Sequence, residues 1–340
     1  MKFFKFISKH MIKFLLLAII LGLIIGYVFP GLGQEMQFFY PISLFIMLYP
    51  MMIGIEINEV KEATRRIGFM SVVMLFNYLV SPLLGAFLAK LFLTDYPDFA
   101  VGLILTGVVP CAGMIVAWTG LAKGNAPMTL VITVVSLLAG IFLIPFWMLN
   151  LAGTYVPIDV FKMFKTIFLT ILLPLILGNI TRVWLVKKLG SQRFVELKGI
   201  FPGISAIGMY SVFFISMCAE SVTLVSHPEY LFRISVPLVI FYTLLFSGSV
   251  LYARLAKISY PDMVAFTYGV SGKNISIALA LAVMFFSPLT VMIIAIKPLI
   301  QVTFMAGFYR LTPILNGYWE KKIPTTKEEN NESLNYHRLS

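Results

Sequence analysis

Charge is what this sequence has least of. Only 12% of its 340 residues are Asp, Glu, Lys or Arg, about half the ~25% share of an ordinary soluble domain. With 59% apolar residues and a mean hydropathy of +0.93, that scarcity excludes a soluble globular chain. Histidine is nearly absent: His10, His227 and His337 lie at termini or in loops, so no imidazole proton relay and no histidine metal cluster is expected. The two cysteines, Cys111 and Cys218, sit in apolar runs, which excludes a disulfide framework. There is no His-Glu-x-x-His, no Gly-x-Gly-Asp and no pair of aspartates inside the apolar runs. Those gaps exclude the intramembrane enzymes that such motifs mark, and no cofactor is expected.

What is present comes in long charge-free stretches. Phe14–Gln34, Met36–Ile55, Ile67–Ala89, Phe99–Ala122, Gly199–Ala219 and Ile234–Ala253 each exceed the ~18 apolar residues that mark a membrane-spanning helix. Gly124–Ile158 holds another, and Met163–Leu185, Tyr260–Phe286 and Leu289–Thr312 complete ten. The lysine-rich start, with Lys2, Lys5, Lys9 and Lys13, resembles a signal peptide, but no small-residue cleavage site follows. It is read as the approach to the first helix.

The net charge of +11 reports topology and not nucleic acid. With ten spans and the N-terminus inside, 20 of the 26 Lys and Arg fall in cytoplasmic segments. Lys90, Lys162, Lys165 and Arg233 fall on the other side, and Lys273 and Lys297 fall within spans. That is the positive-inside asymmetry, and it predicts a multi-pass protein of the plasma membrane with both termini cytoplasmic. Residues 1–320 are read as the transmembrane domain and 321–340 as a polar, disordered tail. The long polar connections are expected at Asn58–Arg66 and Val186–Lys198.

Five spans precede the Leu151–Lys162 connection and five follow it. An odd number per half turns the second half upside down, giving two inverted repeats at about residues 11–150 and 163–312. Each half carries one interrupted span. Val109-Pro110-Cys111-Ala112-Gly113 breaks the fourth, and Gly269-Val270-Ser271-Gly272-Lys273-Asn274 breaks the ninth. Proline removes a donor and frees the carbonyl four residues earlier, while glycine and serine let a helix unwind. Inside a bilayer such freed groups persist only within protein or beside a water-filled cavity. Paired interruptions in matching places of two halves point to the binding site of a secondary transporter. At ~1.5 Å per residue, both breaks lie about 20 Å from their helix starts, near the midplane.

These residues also carry a likeness. Pro110-Cys111-Ala112-Gly113-Met114-Ile115-Val116-Ala117-Trp118, followed by Ala122-Lys123-Gly124-Asn125, resembles the fourth-helix signature of the arsenite efflux permeases of the bile acid:sodium symporter superfamily. Asn77-Tyr78-Leu79-Val80-Ser81-Pro82 and Pro298-Leu299-Ile300-Gln301-Val302 resemble that family's third- and tenth-helix patterns. The resemblance implies an all-α fold in which helices 1, 2, 6 and 7 form a panel beside a core of helices 3–5 and 8–10. It implies broken helices 4 and 9 crossing within that core, and it puts Cys111 in the place of an arsenite-binding cysteine. The chain departs from the permeases where Ser276 and Gln301 replace glutamates, Lys273 an asparagine and Lys297 a glycine. The sodium-coupled branch fits less well: its helix 4 ligands become Ile115 and Val116, its helix 9 acid becomes Gly269, and a cation at Lys273 repels a second one.

Lys273 is the deepest charged residue. A cation at the bilayer centre costs about 2.5–3.5 kcal/mol even on insertion scales, so it is expected to face a cavity or a partner. Lys297 either does the same or snorkels to the interface. Cys111, Lys273, Asn274, Ser276 and Gln301 are therefore the candidate substrate-binding residues, Lys273 and Lys297 the coupling or charge residues, and Pro110, Gly113, Gly269 and Gly272 the helix breaks. Asn77, Thr119 and Thr303 are read as interhelical hydrogen-bonding groups, and Cys218 as packing. The expected partners are membrane lipid and a small solute. That solute is arsenite, exported without sodium, or a small organic anion with Lys273 as counter-charge; a non-transporting sensor stays open.

Overall fold

The computed structural model describes residues 10–54 and 66–320. Lys2, Lys5, Lys9, Lys61, Arg65, most of the expected Asn58–Arg66 connection and the 321–340 tail lie outside the described residues. Within them the regular secondary structure is helical, with no strand. In chain order the helices are α1 (Met11–Val28), α2 (Leu32–Met36), α3 (Tyr40–Ile53), α4 (Ile67–Leu75), α5 (Ser81–Phe92), α6 (Pro97–Val108), α7 (Ile115–Leu121) and α8 (Ala126–Trp147). They continue with α9 (Val160–Ile167), α10 (Leu173–Leu189), α11 (Ser191–Lys198), α12 (Phe201–Ala219) and α13 (Ser221–Ser226). Last come α14 (Glu229–Leu255), α15 (Tyr260–Ser271), α16 (Ile275–Phe285) and α17 (Pro288–Glu320).

Six segments, 32–53, 67–92, 126–152, 191–219, 229–255 and 288–319, are each long and apolar enough to cross a bilayer. Helices close every backbone hydrogen bond within the segment, which is what lipid demands. Lys13–Val28, Pro97–Val108 and Ile275–Phe285 are apolar but shorter. Two of those are halves of the interrupted spans. The chain is thus a multi-pass helical membrane protein.

Proline shapes two of the helical stretches. Wide π-turns at Phe76–Val80 and Phe168–Leu172 end one residue short of Pro82 and Pro174. Each turn contains the carbonyl, four residues back, that the proline ring would strike and cannot satisfy. The polar stretch Val186–Lys198, expected as a loop, is helical except at Gly190. α10 runs on to Leu189 and α11 begins at Ser191, with Gly190 at φ 81° making the turn between them.

Two groups of helices pack within themselves. α12 lies against α1, α2 and α3, and α3 against α10. Here small residues let backbones approach, the usual means of association where lipid removes the hydrophobic drive between helices. A Cβ on Gly22 would stand 2.6 Å from the Phe214 carbonyl, one on Gly208 2.5 Å from the Ser43 carbonyl, and one on Gly178 2.8 Å from Met52. The second group joins α5 to α6, α14 to α15 and α17, α8 to α7 and α15, and α17 to α6 and α16. The two groups meet where α3 touches α16 and α12 touches α17.

Candidate functional site

The interruptions fall where the residues call for them. The first span is helical to Val108 and resumes at Ile115; the second is helical to Ser271 and resumes at Ile275. Pro110 and Gly113 lie inside the first gap and Gly272 inside the second. Gly269, read from sequence as part of the break, is still within α15. The helix yields later, at Gly272, where the Ile115 side chain occupies the space a Cβ would need.

The two gaps cross and pair. Cys111 and Lys273 form an isolated antiparallel bridge: the Ala112 amide donates to the Gly272 carbonyl (2.8 Å) and the Asn274 amide to the Pro110 carbonyl (2.7 Å). Two carbonyls orphaned upstream are taken by the third span. Gly107 O accepts from Ser81 Oγ (2.8 Å) and Gly269 O from Asn77 Nδ2 (2.9 Å). Unpaired, each would cost about 1–3 kcal/mol in a buried site, so Ser81 and Asn77 replace the Cys111 and Lys273 amides, which the breaks turn to Ser136 Oγ and the Ser271 carbonyl.

Lys273 is fully buried. Its Nζ donates to Asn77 Oδ1 (3.0 Å) and to the Asn77 carbonyl (3.3 Å), both on the π-turn of the third span. Its own carbonyl accepts from Gln301 Nε2 (2.9 Å), and Gln301 Oε1 accepts from Tyr242 (2.6 Å). Lys273, Asn77, Gln301 and Tyr242 therefore form one buried network joining the second break to the π-turn, α14 and α17. Lys297, one helical turn before Gln301, is also fully buried, and its Nζ has no hydrogen-bond partner among the described residues. Snorkelling to an interface is not what it does here. Cys111 is buried as well; its Sγ lies 2.9 Å from Ser136 Oγ, and Tyr78 donates to the Ser136 carbonyl.

Beside the crossing lies a cavity of about 530 Å³ between the two helix groups. Its walls are mainly apolar, with Met51, Met114 and Phe201 among them, and its polar groups include Thr133, Lys198, Asn274 and Ser276. Asn274 also caps α16, its Oδ1 accepting from the Ile277 amide (3.0 Å). The start of α16, where unpaired amides carry partial positive charge, thus borders the cavity.

Of the residues singled out from sequence, Asn274, Ser276 and Gly113 line this space. Cys111, Lys273, Gln301 and Lys297 do not; they are packed behind its wall. Bridge geometry is the reason: along the short extended stretch, Cys111 and Lys273 turn into the protein while Ala112 and Asn274 turn to the cavity. Thr303 bonds the Leu299 carbonyl of its own helix, while Thr119 bonds the Ile115 carbonyl of its own and also accepts from Thr129 of α8 at 3.1 Å. Missed from sequence were Ser136, Thr133 and Tyr242, ordinary polar residues in apolar helices that only neighbouring spans make significant. Among the described residues no group of His, Cys, Asp or Glu is placed to hold a metal ion.

Interrupted helices crossing beside a cavity in a multi-pass protein define the class: a membrane transporter. The family model described as the Sodium Bile acid symporter family matches residues 41–227, and the chain belongs to that family. The arsenical-resistance protein Acr3 of Corynebacterium glutamicum is 24% identical over 326 residues, spanning 89% of this chain and 87% of that protein. Acr3 of Alkaliphilus metalliredigens is 27% identical, over 82% of this chain and 83% of its own. The uncharacterized sodium-dependent transporter YocS of Bacillus subtilis is 26% identical, over 90% of each.

Proposed function

We propose that this protein is a secondary transporter carrying a small organic anion by alternating access, with the cavity beside the crossing as its substrate site. The cavity carries the reading. Its 530 Å³ falls in the ~300–1,000 Å³ range of small-molecule sites, and its apolar walls with a few polar groups suit a carboxylate bearing a carbon skeleton. Lys198 at its edge and the start of α16 supply positive charge, and Asn274, Ser276 and Thr133 supply hydrogen bonds. Lys273, whose amine is engaged by Asn77, is a support of the crossing in this reading and not the counter-charge.

Ten spans in two inverted five-helix repeats account for the packing. α1, α3, α10 and α12 form the panel, and the helices around the crossing form the core, with the cavity between them. Both termini lie in the cytoplasm and the membrane is the plasma membrane. The cavity reaches Gly54 and Lys198, beside the basic connections, which makes this the inward-facing conformation. The Lys273 amine fills the oxygen pair of Asn77, which favours coupling to protons or to the membrane potential over coupling to sodium.

A second reading, arsenite export, is favoured by the likeness to the two arsenical-resistance proteins. It is opposed by the position of the Cys111 sulfur, turned to Ser136 and away from the cavity. The deciding experiment is uptake into proteoliposomes of arsenite and of a panel of labelled carboxylates, paired with arsenite resistance in a sensitised host. Carboxylate uptake without arsenite resistance is expected. Resistance lost in Cys111→Ser would reverse the order of the two readings, and failure to move any solute would leave a sensor.

A further inference from the structure

Both broken spans begin with the same tripeptide. Tyr96-Pro97-Asp98 opens α6 and Tyr260-Pro261-Asp262 opens α15. Each aspartate is held by the opposite half of the chain. Asp262 accepts from Asn125 Nδ2 (2.8 Å), and Asn125 is the residue that caps α8. Asp98 accepts from Ser287 Oγ (2.5 Å), and Ser287 is the residue before α17. Each half also sends one arginine from the start of its third helix. Arg66, just before α4, makes a two-pronged ion pair with Asp262, Nη1 to Oδ1 at 3.0 Å and Nη2 to Oδ2 at 2.7 Å. Arg233, in the second turn of α14, stands with its guanidinium carbon 4.7 Å from the centre of the Tyr96 ring.

The two clasps match in parts and in exchange between halves but differ in state. At one end the arginine grips the carboxylate, with Ser259 adding a bond at 3.1 Å. At the other it rests on the tyrosine two residues short of Asp98, and no ion pair joins Arg233 to Asp98 among the described residues. Glu229, one turn before Arg233 on α14, is the acidic group that shares its neighbourhood. In an inverted repeat, the two access states are related by exchanging the conformations of the halves. The end that is paired in one state is then unpaired in the other.

We infer that Arg66–Asp262 and Arg233–Asp98 are alternating ion-pair locks, the first closed in the conformation described here and the second closed when the cavity opens to the opposite face. Each pair holds one access state, and a transport cycle exchanges one for the other. To reach Asp98, two residues beyond Tyr96, Arg233 has to leave the Tyr96 ring. The inference rests on the transport reading above.

The test reads access directly and needs no substrate. Ala117→Cys puts a thiol in the cavity wall, while Cys111 and Cys218 are buried. Its modification by a membrane-impermeant thiol reagent is measured from each face, in right-side-out and inverted vesicles holding the full chain. Arg66→Ala should lower labelling from the cytoplasmic face and raise it from the other, by about fivefold for a partly exposed pair. Arg233→Ala and Asp98→Asn should shift it the opposite way. The exchange Arg66→Asp with Asp262→Arg should return labelling toward the parent value, which a purely destabilising change would not do. Labelling confined to one face in every variant would defeat the transport reading and the locks with it. Two-sided labelling that both arginine variants leave unchanged, or move in the same direction, would overturn the locks alone.

Discussion

Replacing Asn77 with leucine should weaken the fold more than any other single polar change near the crossing. The side chain is fully buried and does two jobs: Oδ1 accepts from Lys273 Nζ at 3.0 Å and Nδ2 donates to Gly269 O at 2.9 Å. Leucine is close in volume, so packing changes little and the cost is polar. Losing the amide–amine bond costs about 1–2 kcal/mol, and the Gly269 carbonyl, left without a donor, adds about 1–3 kcal/mol. The sum, about 2–5 kcal/mol, is large against the whole stability of a folded domain. A denaturant titration of the purified protein in mixed micelles measures it. The companion change Lys273→Met removes the buried amine, so the double variant should recover about 1 kcal/mol or more relative to additivity, because both partners are then apolar. A loss below about 0.5 kcal/mol for Asn77→Leu, within the range of an ordinary surface change, would refute the network as described. So would strict additivity in the double-mutant cycle.

Other outcomes follow from the same geometry. Gly208→Val forces a side chain against the Ser43 carbonyl at the tightest part of α12 on α3, and should sharply lower the yield of folded protein in membranes by fluorescence-detected size exclusion. Ala117→Phe fills part of the cavity and should cut solute uptake at least tenfold while leaving the denaturation midpoint near the parent value. Cys111→Ser keeps a hydrogen-bonding atom toward Ser136, so carboxylate uptake in proteoliposomes should persist; its loss would return the thiol to the substrate site. For the orientation, a cysteine at Glu35 should be labelled from outside intact cells and one at Arg193 only after permeabilisation, and the reverse would invert the topology.

Much of the architecture was legible in the linear chain because bilayer physics acts on composition. Runs of some twenty apolar residues cannot stay in water, and lipid permits them one conformation when they cross it. The interruptions at Pro110 and Gly272 could likewise be placed, the second to within three residues, since a missing donor and a missing Cβ are local facts. The Tyr-Pro-Asp pair was equally visible, yet meant nothing until Asn125 and Ser287 were seen to reach across the halves.

Tertiary structure alone decided which way the side chains face. A burial argument correctly demanded a partner for Lys273, but a partner and a cavity satisfy the same cost, and only the packing of the third span against α15 chose Asn77. Cys111 and Ala112 are adjacent in sequence and both apolar; the antiparallel bridge to Lys273 and Gly272 turns the thiol toward Ser136 and the methyl group toward the cavity. Sequence thus determined which runs are apolar enough to enter a membrane and where helices must break, because those follow from the energy of each residue in lipid. Which residues meet at the break depends on neighbours from 25 to 196 positions away on other helices, and that only the folded chain supplies.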